Sequence, residues 1–262
     1  NYILNNNLKC DIINEVKSIF KENDIFIIFT PYFKYLNFES IKKNRIILIN
    51  SEPIKVEKNR KLVVNIINNY RIIFLIDYSK HNIKYLKRKN IETYYSKFIY
   101  SKLIENYFDK YEKKKIKDID FLILGSINER RLLITDKLKY NYKVEYLNTN
   151  NYKKIYDYLM RTKIVLIILS NENNNNIDIY RLMILVTLKV FFIHEYVYNK
   201  YDLVDKIIFS KYNFFFKKSI KYINISQDDI NKITNKLYNF CKLKYNFDTD
   251  FKNSNILEYL RI

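Results

Sequence analysis

In the stretch "DIDFLILGSINERR" (118–131) the chain's only glycine, Gly125, stands between an apolar run and a pair of arginines. A strand that ends in Gly-Ser and feeds a helix brings backbone N–H groups and the positive helix end to the carboxyl edge of a sheet, where anions bind in open α/β folds. Ser126 and Asn128 occupy the turn, and Arg130 and Arg131 add fixed positive charge one turn into the helix. The chemistry on offer is capture of an anion. The same residues also read as a tight turn followed by surface arginines.

A second group lies in "SNENNNNIDIYR" (170–181), where Glu172 follows an apolar run, Asp178 opens the next helix and Arg181 stands one turn on. Carboxylates at that edge can accept hydrogen bonds from sugar or ribose hydroxyls. Asp178 suits a helix cap equally well. The stretch "KVFFIHE" ends on His194 and Glu195, an acid–base pair in one reading and a packed strand end in the other. His81 is the other histidine and Cys10 and Cys241 the two cysteines, a set with no zinc spacing. No GxSxG elbow, GxGxxG or P-loop occurs, since the turn holding Ser126 continues to Asn128 rather than to a second glycine.

These residues require strands and helices to hold them. Short β-rich apolar runs alternate with segments of helical period along the chain, the pattern of parallel sheets covered by helices. Strands are expected at 25–29, 45–50, 71–76 and 91–95 in the first half, with helices near 11–21, 59–69 and 80–87. The second half gives strands at 120–125, 142–147, 163–169 and 189–195, a weaker one at "KIIFS", and helices at 128–139, 151–161, 177–188 and from Ser226 onward. Ser226 with Asp229 forms an acidic analogue of a capping box. The expected organisation is an α/β protein of two Rossmann-like domains with mostly parallel sheets: 1–110, a charged linker at 111–118, 119–225, and a C-terminal helical segment at 226–262.

Composition limits the alternatives. A hydrophobic fraction of 48% with 26 Tyr and 18 Phe fits a packed protein. The 47 Lys and Arg against 28 Asp and Glu give a net charge of +19, which raises binding to nucleic acid or an anionic surface as a rival function. The basic residues are spread along the chain and the codon bias of an AT-rich genome favours Lys, Asn, Ile and Tyr, so nucleic acid is the lesser reading. The cysteines suit a reducing compartment, cytoplasmic by expectation. The longest apolar run, "RLMILVTLKVFFI" (181–193), is interrupted by Lys189 and is too short to span a membrane. No signal peptide is read at the start, and a leading segment can be missing because the chain opens on Asn.

The stretches "LILGSINERRLLI" and "RTKIVLIILSNENNNNIDIYRLMILVTLKVFFIHE" resemble, in order and spacing, the nucleotide-sugar-binding half of a group-1-like GT-B glycosyltransferase family of large DNA viruses and bacteria. That family carries "GS.NERR" and later "E…LE..R….L….F.ISE". In the first half, "ILINSEPI", "IDYSKHNIKYL" and "YYSKFIYS" resemble its "YNLEQ", "DYS..N...L" and "YLPFGYS", so the likeness covers most of 45–210. It implies a GT-B architecture with an interdomain cleft, sugar transfer from a nucleotide-sugar donor to a glycan, protein or lipid acceptor, and no metal cofactor. Gly125, Ser126, Asn128, Arg130 and Arg131 would lie at the donor diphosphate, with Arg181 as a further phosphate or structural candidate and Glu195 as the family's closing Glu. Glu172 and Asp178 match the two acidic positions, the candidate catalytic pair on the donor sugar and ribose. Glu52, Asp77, Tyr78, Ser79 and Asn82 would face the cleft on the acceptor side. The chain departs from the family in having Asp178 for Glu and in losing the Gln of "YNLEQ". A catalytically inactive relative that binds or scaffolds is therefore an alternative.

Overall fold

The computed structural model describes residues 25–30, 41–50, 54–55, 57–97, 99–111, 116–149, 151–170, 177–197, 203, 205–247 and 249–250. The chain divides into two units, one running to Lys97 and resuming at Phe247, the other Phe98–Asn246.

In the first unit, three strands follow the Ile-rich runs, β1 (Ile25–Phe29), β2 (Arg45–Asn50) and β3 (Ile72–Asp77), and a fourth, β4 (Tyr94–Tyr95), is a tyrosine pair. All pair in parallel, in the order β1-β2-β3-β4. Helices α1 (Glu57–Asn69) and α2 (Lys80–Lys87) connect them. Parallel strands added in one direction by right-handed crossovers place their helices on one face. Accordingly Val63 and Ile66 of α1 and Leu86 of α2 share a single core with Ile46, Leu48 and Leu75. Burying such side chains contributes roughly 1.5–3 kcal/mol each. The expected strand at 91–95 is reduced to two residues because α2 ends in a left-handed turn at Asn90 (φ 58°), after which the chain runs three residues before it pairs. The helix expected at 11–21 lies outside the described residues.

The second unit has five parallel strands: β5 (Ile119–Leu124), β6 (Val144–Leu147), β7 (Thr162–Ile167), β8 (Phe192–Glu195) and β9 (Ile208–Ser210). Their order is β6-β5-β7-β8-β9. The chain steps from β5 to one side, then crosses back to build on the other, so the order reverses between β5 and β7. Alternating side chains of the central strands face two layers. Phe121, Ile123, Ile164, Leu166 and Ile193 pack with Ile134 and Leu138 of α4 (Glu129–Lys139) and Phe215 of α7 (Tyr212–Ile223). Helices α3 (Lys102–Phe108), α5 (Tyr152–Arg161), α6 (Ile179–Thr187) and α8 (Gln227–Lys244) make up the rest of the unit, and α6 touches both α3 and α8.

That arrangement explains the long apolar run. Helix α6 is buried at Ile179 and at every position from Leu182 to Thr187, as a helix enclosed on all sides must be. It stops at a left-handed residue, Lys189 (φ 54°), with Val190 N–H bonded to Leu185 O at 2.8 Å. The expected strand at 189–195 is therefore shortened to Phe192–Glu195. Among the described residues no helix is long and apolar enough to cross a membrane.

Two boundaries differ from expectation. The second unit begins at Phe98, ahead of the expected linker: Phe108 of α3 stacks on Tyr156 of α5 (5.2 Å between centroids) and Glu105 accepts hydrogen bonds from Tyr100 (2.9 Å) and, in α8, Tyr238 (2.6 Å). Beyond Asn246 the chain belongs to the first unit, where Ser96 Oγ donates to Asp250 Oδ2 at 2.7 Å. Helix α7 is an element that the sequence reading does not contain.

Candidate functional site

Gly125 directly follows β5 in a conformation that L side chains rarely adopt, φ +109°, and its N–H bonds to Leu147 O at the end of β6 (2.8 Å). A Cβ there would stand 2.5 Å from Arg181 Nη2 and 3.4 Å from Arg131 Nη1. Absence of a side chain thus lets two guanidinium groups close on the main chain of the turn. The following residues, Ser126 and Ile127, are exposed. Asn128 is the cap of α4, its Oδ1 accepting from Arg131 N at 3.0 Å.

The two arginines of "NERR" have different settings. Arg131 is buried, and its Nε donates to Ile168 O (3.0 Å) while Nη1 donates to Ser126 O, so it ties together the turns that follow β5 and β7. Burial first, and then Arg181, pull its pKa down to about 10, against the opposing pull of Asp178 and Glu195. It still carries its charge at neutral pH. Arg130 instead reaches Glu195 Oε1 (2.5 Å) and lies over the ring of Tyr212 at 4.0 Å, whose hydroxyl bonds Arg130 O (2.8 Å). Glu195 Oε2 accepts from Leu169 N at 2.9 Å. This ion pair joins α4, α7, β8 and the turn after β7.

Asp178 caps α6 by accepting from Arg181 N (3.1 Å), and its Oδ2 pairs with Arg181 Nη1 at 2.8 Å. The structure thus brings Gly125, Ser126, Asn128, Arg130, Arg131, Asp178, Arg181 and Glu195 to one place, the carboxyl edge between β5 and β7 where the strand order reverses. Ligands of open α/β sheets bind at such a reversal. Two mutually repelling guanidinium groups beside two helix N-termini make a cationic turn suited to a phosphate or diphosphate. Glu52 and Glu172 lie outside the described residues.

In the first unit Asp77, Tyr78, Ser79 and Asn82 are all buried. Asn50 Nδ2 donates to Asp77 Oδ2 (2.6 Å), Ser79 N to Asp77 Oδ1 (2.7 Å) and Asn82 Nδ2 to both oxygens (3.2 and 3.1 Å). Thr30 Oγ1 bonds Asn50 Oδ1 at 3.0 Å, and Asn82 Oδ1 receives Ile54 N at 3.1 Å. These residues hold the ends of three strands to the start of α2; none presents its side chain to solvent. Burial, the largest influence, raises Asp77 to about 7 against the pull of its hydrogen bonds.

Sequence reasoning did not single out Thr30, Asn50 or Tyr212. A signal existed for the first two, since Thr30 directly follows β1 and the next two strands end on Asn50 and Asp77, one polar layer at the same edge of the sheet. His81 is exposed on α2. Cys241 is buried and its thiol is pushed up to about 12 by burial, which makes it a poor nucleophile. Among the described residues no group of His, Cys, Asp and Glu could hold a metal ion. No protein-family model matches the chain, and no curated protein matches it.

Proposed function

We propose that the protein is a glycosyltransferase whose second unit holds the diphosphate of a nucleotide-sugar donor at the Gly125 turn. The observation that carries this reading is the convergence of Arg131 and Arg181 on the glycine at the strand-order reversal. In this role their charge offsets the negative charge that grows on the nucleoside diphosphate as the bond to the sugar breaks. The reading assigns that task to arginines and gives the site no metal. The GT-B type of architecture, its interdomain cleft and an acceptor entering there belong to the proposal, as does Glu172 as a catalytic group.

A donor-binding protein without turnover is the second reading, favoured by one feature. Both oxygens of Asp178 are engaged by Arg181, and Glu195 is held by Arg130 and Leu169 N, so neither carboxylate stands ready as a base.

Thermal unfolding in the presence of UDP-glucose, GDP-mannose and a CMP-sugar tests the proposal. A bound donor at 100 times its dissociation constant stabilises by about 2.7 kcal/mol, and Arg181→Gln should remove the shift. No shift with any donor overturns the reading. A shift with no transfer or donor hydrolysis over hours decides for the inactive form.

A further inference from the structure

The two helices of the first unit carry a concentrated positive charge. From Lys58 to Ile91 the sequence holds nine Lys and Arg against one acidic residue, Asp77, and that carboxylate is sealed in the polar layer at the end of the strands. The charge therefore stands unopposed on α1 and α2, which cover the same side of the sheet. Lys58 and Lys61 of α1 and Lys80, Lys84, Lys87 and Arg88 along α2 are all exposed. Glu57, at the border of this face, pairs with Lys61 at 2.9 Å, but both side chains are exposed and such a pair is weak enough for a phosphate to displace.

The same face offers more than charge. An open groove of about 630 Å³ is lined by Arg60, Asn65 and Asn68 of α1 and by Tyr85 of α2. The Arg60 guanidinium stands 5.9 Å from the centre of the Tyr85 ring, so an aromatic surface has a cation at its side. A ring to stack a base, amides to bond its edge and cations for the phosphates are the means by which single strands are held. A lipid surface asks for something else, since docking on a bilayer buries apolar side chains among the basic ones. Among the described residues none of the exposed large apolar side chains lies on α1 or α2. We infer that the α1–α2 face of the first unit binds single-stranded nucleic acid, with phosphates along the lysines and a base on Tyr85. It uses no residue of the donor site in the second unit, so either reading can fail without the other.

Fluorescence anisotropy of a labelled thymidine strand of about 20 nucleotides, titrated with the whole chain over a series of salt concentrations, tests the assignment. Changing Lys61→Glu, Lys84→Glu and Lys87→Glu together should weaken binding by about a hundredfold at low salt. The slope of log affinity against log salt should flatten by about 2, the share of three phosphates on a single strand. Lys217→Glu, Lys221→Glu and Lys236→Glu, exposed positions of α7 and α8 in the second unit, change the net charge equally. Charges away from the bound strand are screened, so this second triple variant should lose about threefold at most. The stacking role has a readout on the wild type itself: an abasic strand of the same length keeps every phosphate and should bind about tenfold more weakly. Tyr85→Leu should bind both strands alike, and Tyr85→Phe, which keeps the ring, should still tell them apart. Equal losses from the two triple variants, or an abasic strand bound as tightly as the normal one, overturns the inference. So does failure of the wild type to bind the strand, or displacement of the strand by phosphatidylserine vesicles more readily than by unlabelled strand.

Discussion

At the scale of single residues, the site depends on one backbone position. Gly125 is both strained for any L residue and in contact with Arg181, so Gly125→Ala must either push a guanidinium away or distort the turn. We expect a loss of about 2 kcal/mol, measured by urea unfolding, since a residue forced into such a region costs on the order of 1–3 kcal/mol. Donor binding should fall with it. Arg130 and Arg131 are adjacent in sequence and their roles diverge because consecutive helical side chains leave in different directions. One turns into the gap between β5 and β7, the other toward Glu195 and Tyr212. Nothing in the pair "RR" distinguishes them. The glycine itself was legible, because a chain with a single glycine keeps it where a positive φ is needed.

At the scale of elements, helix starts were the most readable feature. Asn128, Asp178 and Ser226 each cap the helix that follows, through a side-chain oxygen bonded to the N–H three residues on. Asn128→Ala should therefore destabilise the second unit by about 1 kcal/mol. It should also loosen the Gly125 turn, lowering donor affinity more than an equal loss of stability produced far from the site. Asn128→Asp keeps the cap, and its thermal midpoint should match the wild type. Helix ends were read closely too, with α2 expected to stop at 87 and α6 at 188 against Lys87 and Thr187. The turns beyond them were not: Asn90 and Lys189 take left-handed conformations that glycine usually supplies, so the strands after them were expected too long. Helix α7 went unread because its aromatic-rich run, "YNFFFKKSIKYI", fits a strand as well as a helix until Phe215 and Ser219 are seen to face inward together.

At the scale of the whole molecule, the two units carry buried ionisable groups of opposite sense. Asp77 in the first has its folded pKa raised from 3.8 to about 7 by burial, so it contributes stability that is complete below pH 3.8 and is lost as pH rises toward 7. His194 in the second has its folded pKa lowered from 6.5 to about 4, so its contribution is complete above pH 6.5 and is lost as pH falls toward 4. Urea unfolding between pH 4 and 8 should show the advantage of wild type over Asp77→Asn shrinking with rising pH, by about 4 kcal/mol at most. The advantage over His194→Gln should grow with rising pH, by about 3 kcal/mol at most. Parallel curves for either variant would mean that its group does not titrate in this window. The alternation of strands and helices, the caps and the glycine turn at 125 follow from the sequence alone, since they depend on residues a few positions apart. Strand order does not, and it decides the rest. Only the return of β7 to the far side of β5 makes the Gly125 turn a strand-order reversal, brings Arg181 against the glycine, and joins Arg130 to Glu195, 65 residues away. The same holds for Asp77, whose place in a sealed polar layer comes from three strands ending side by side. Such pairings are set by which way each crossover turns and what it buries, and no local pattern in the chain encodes that.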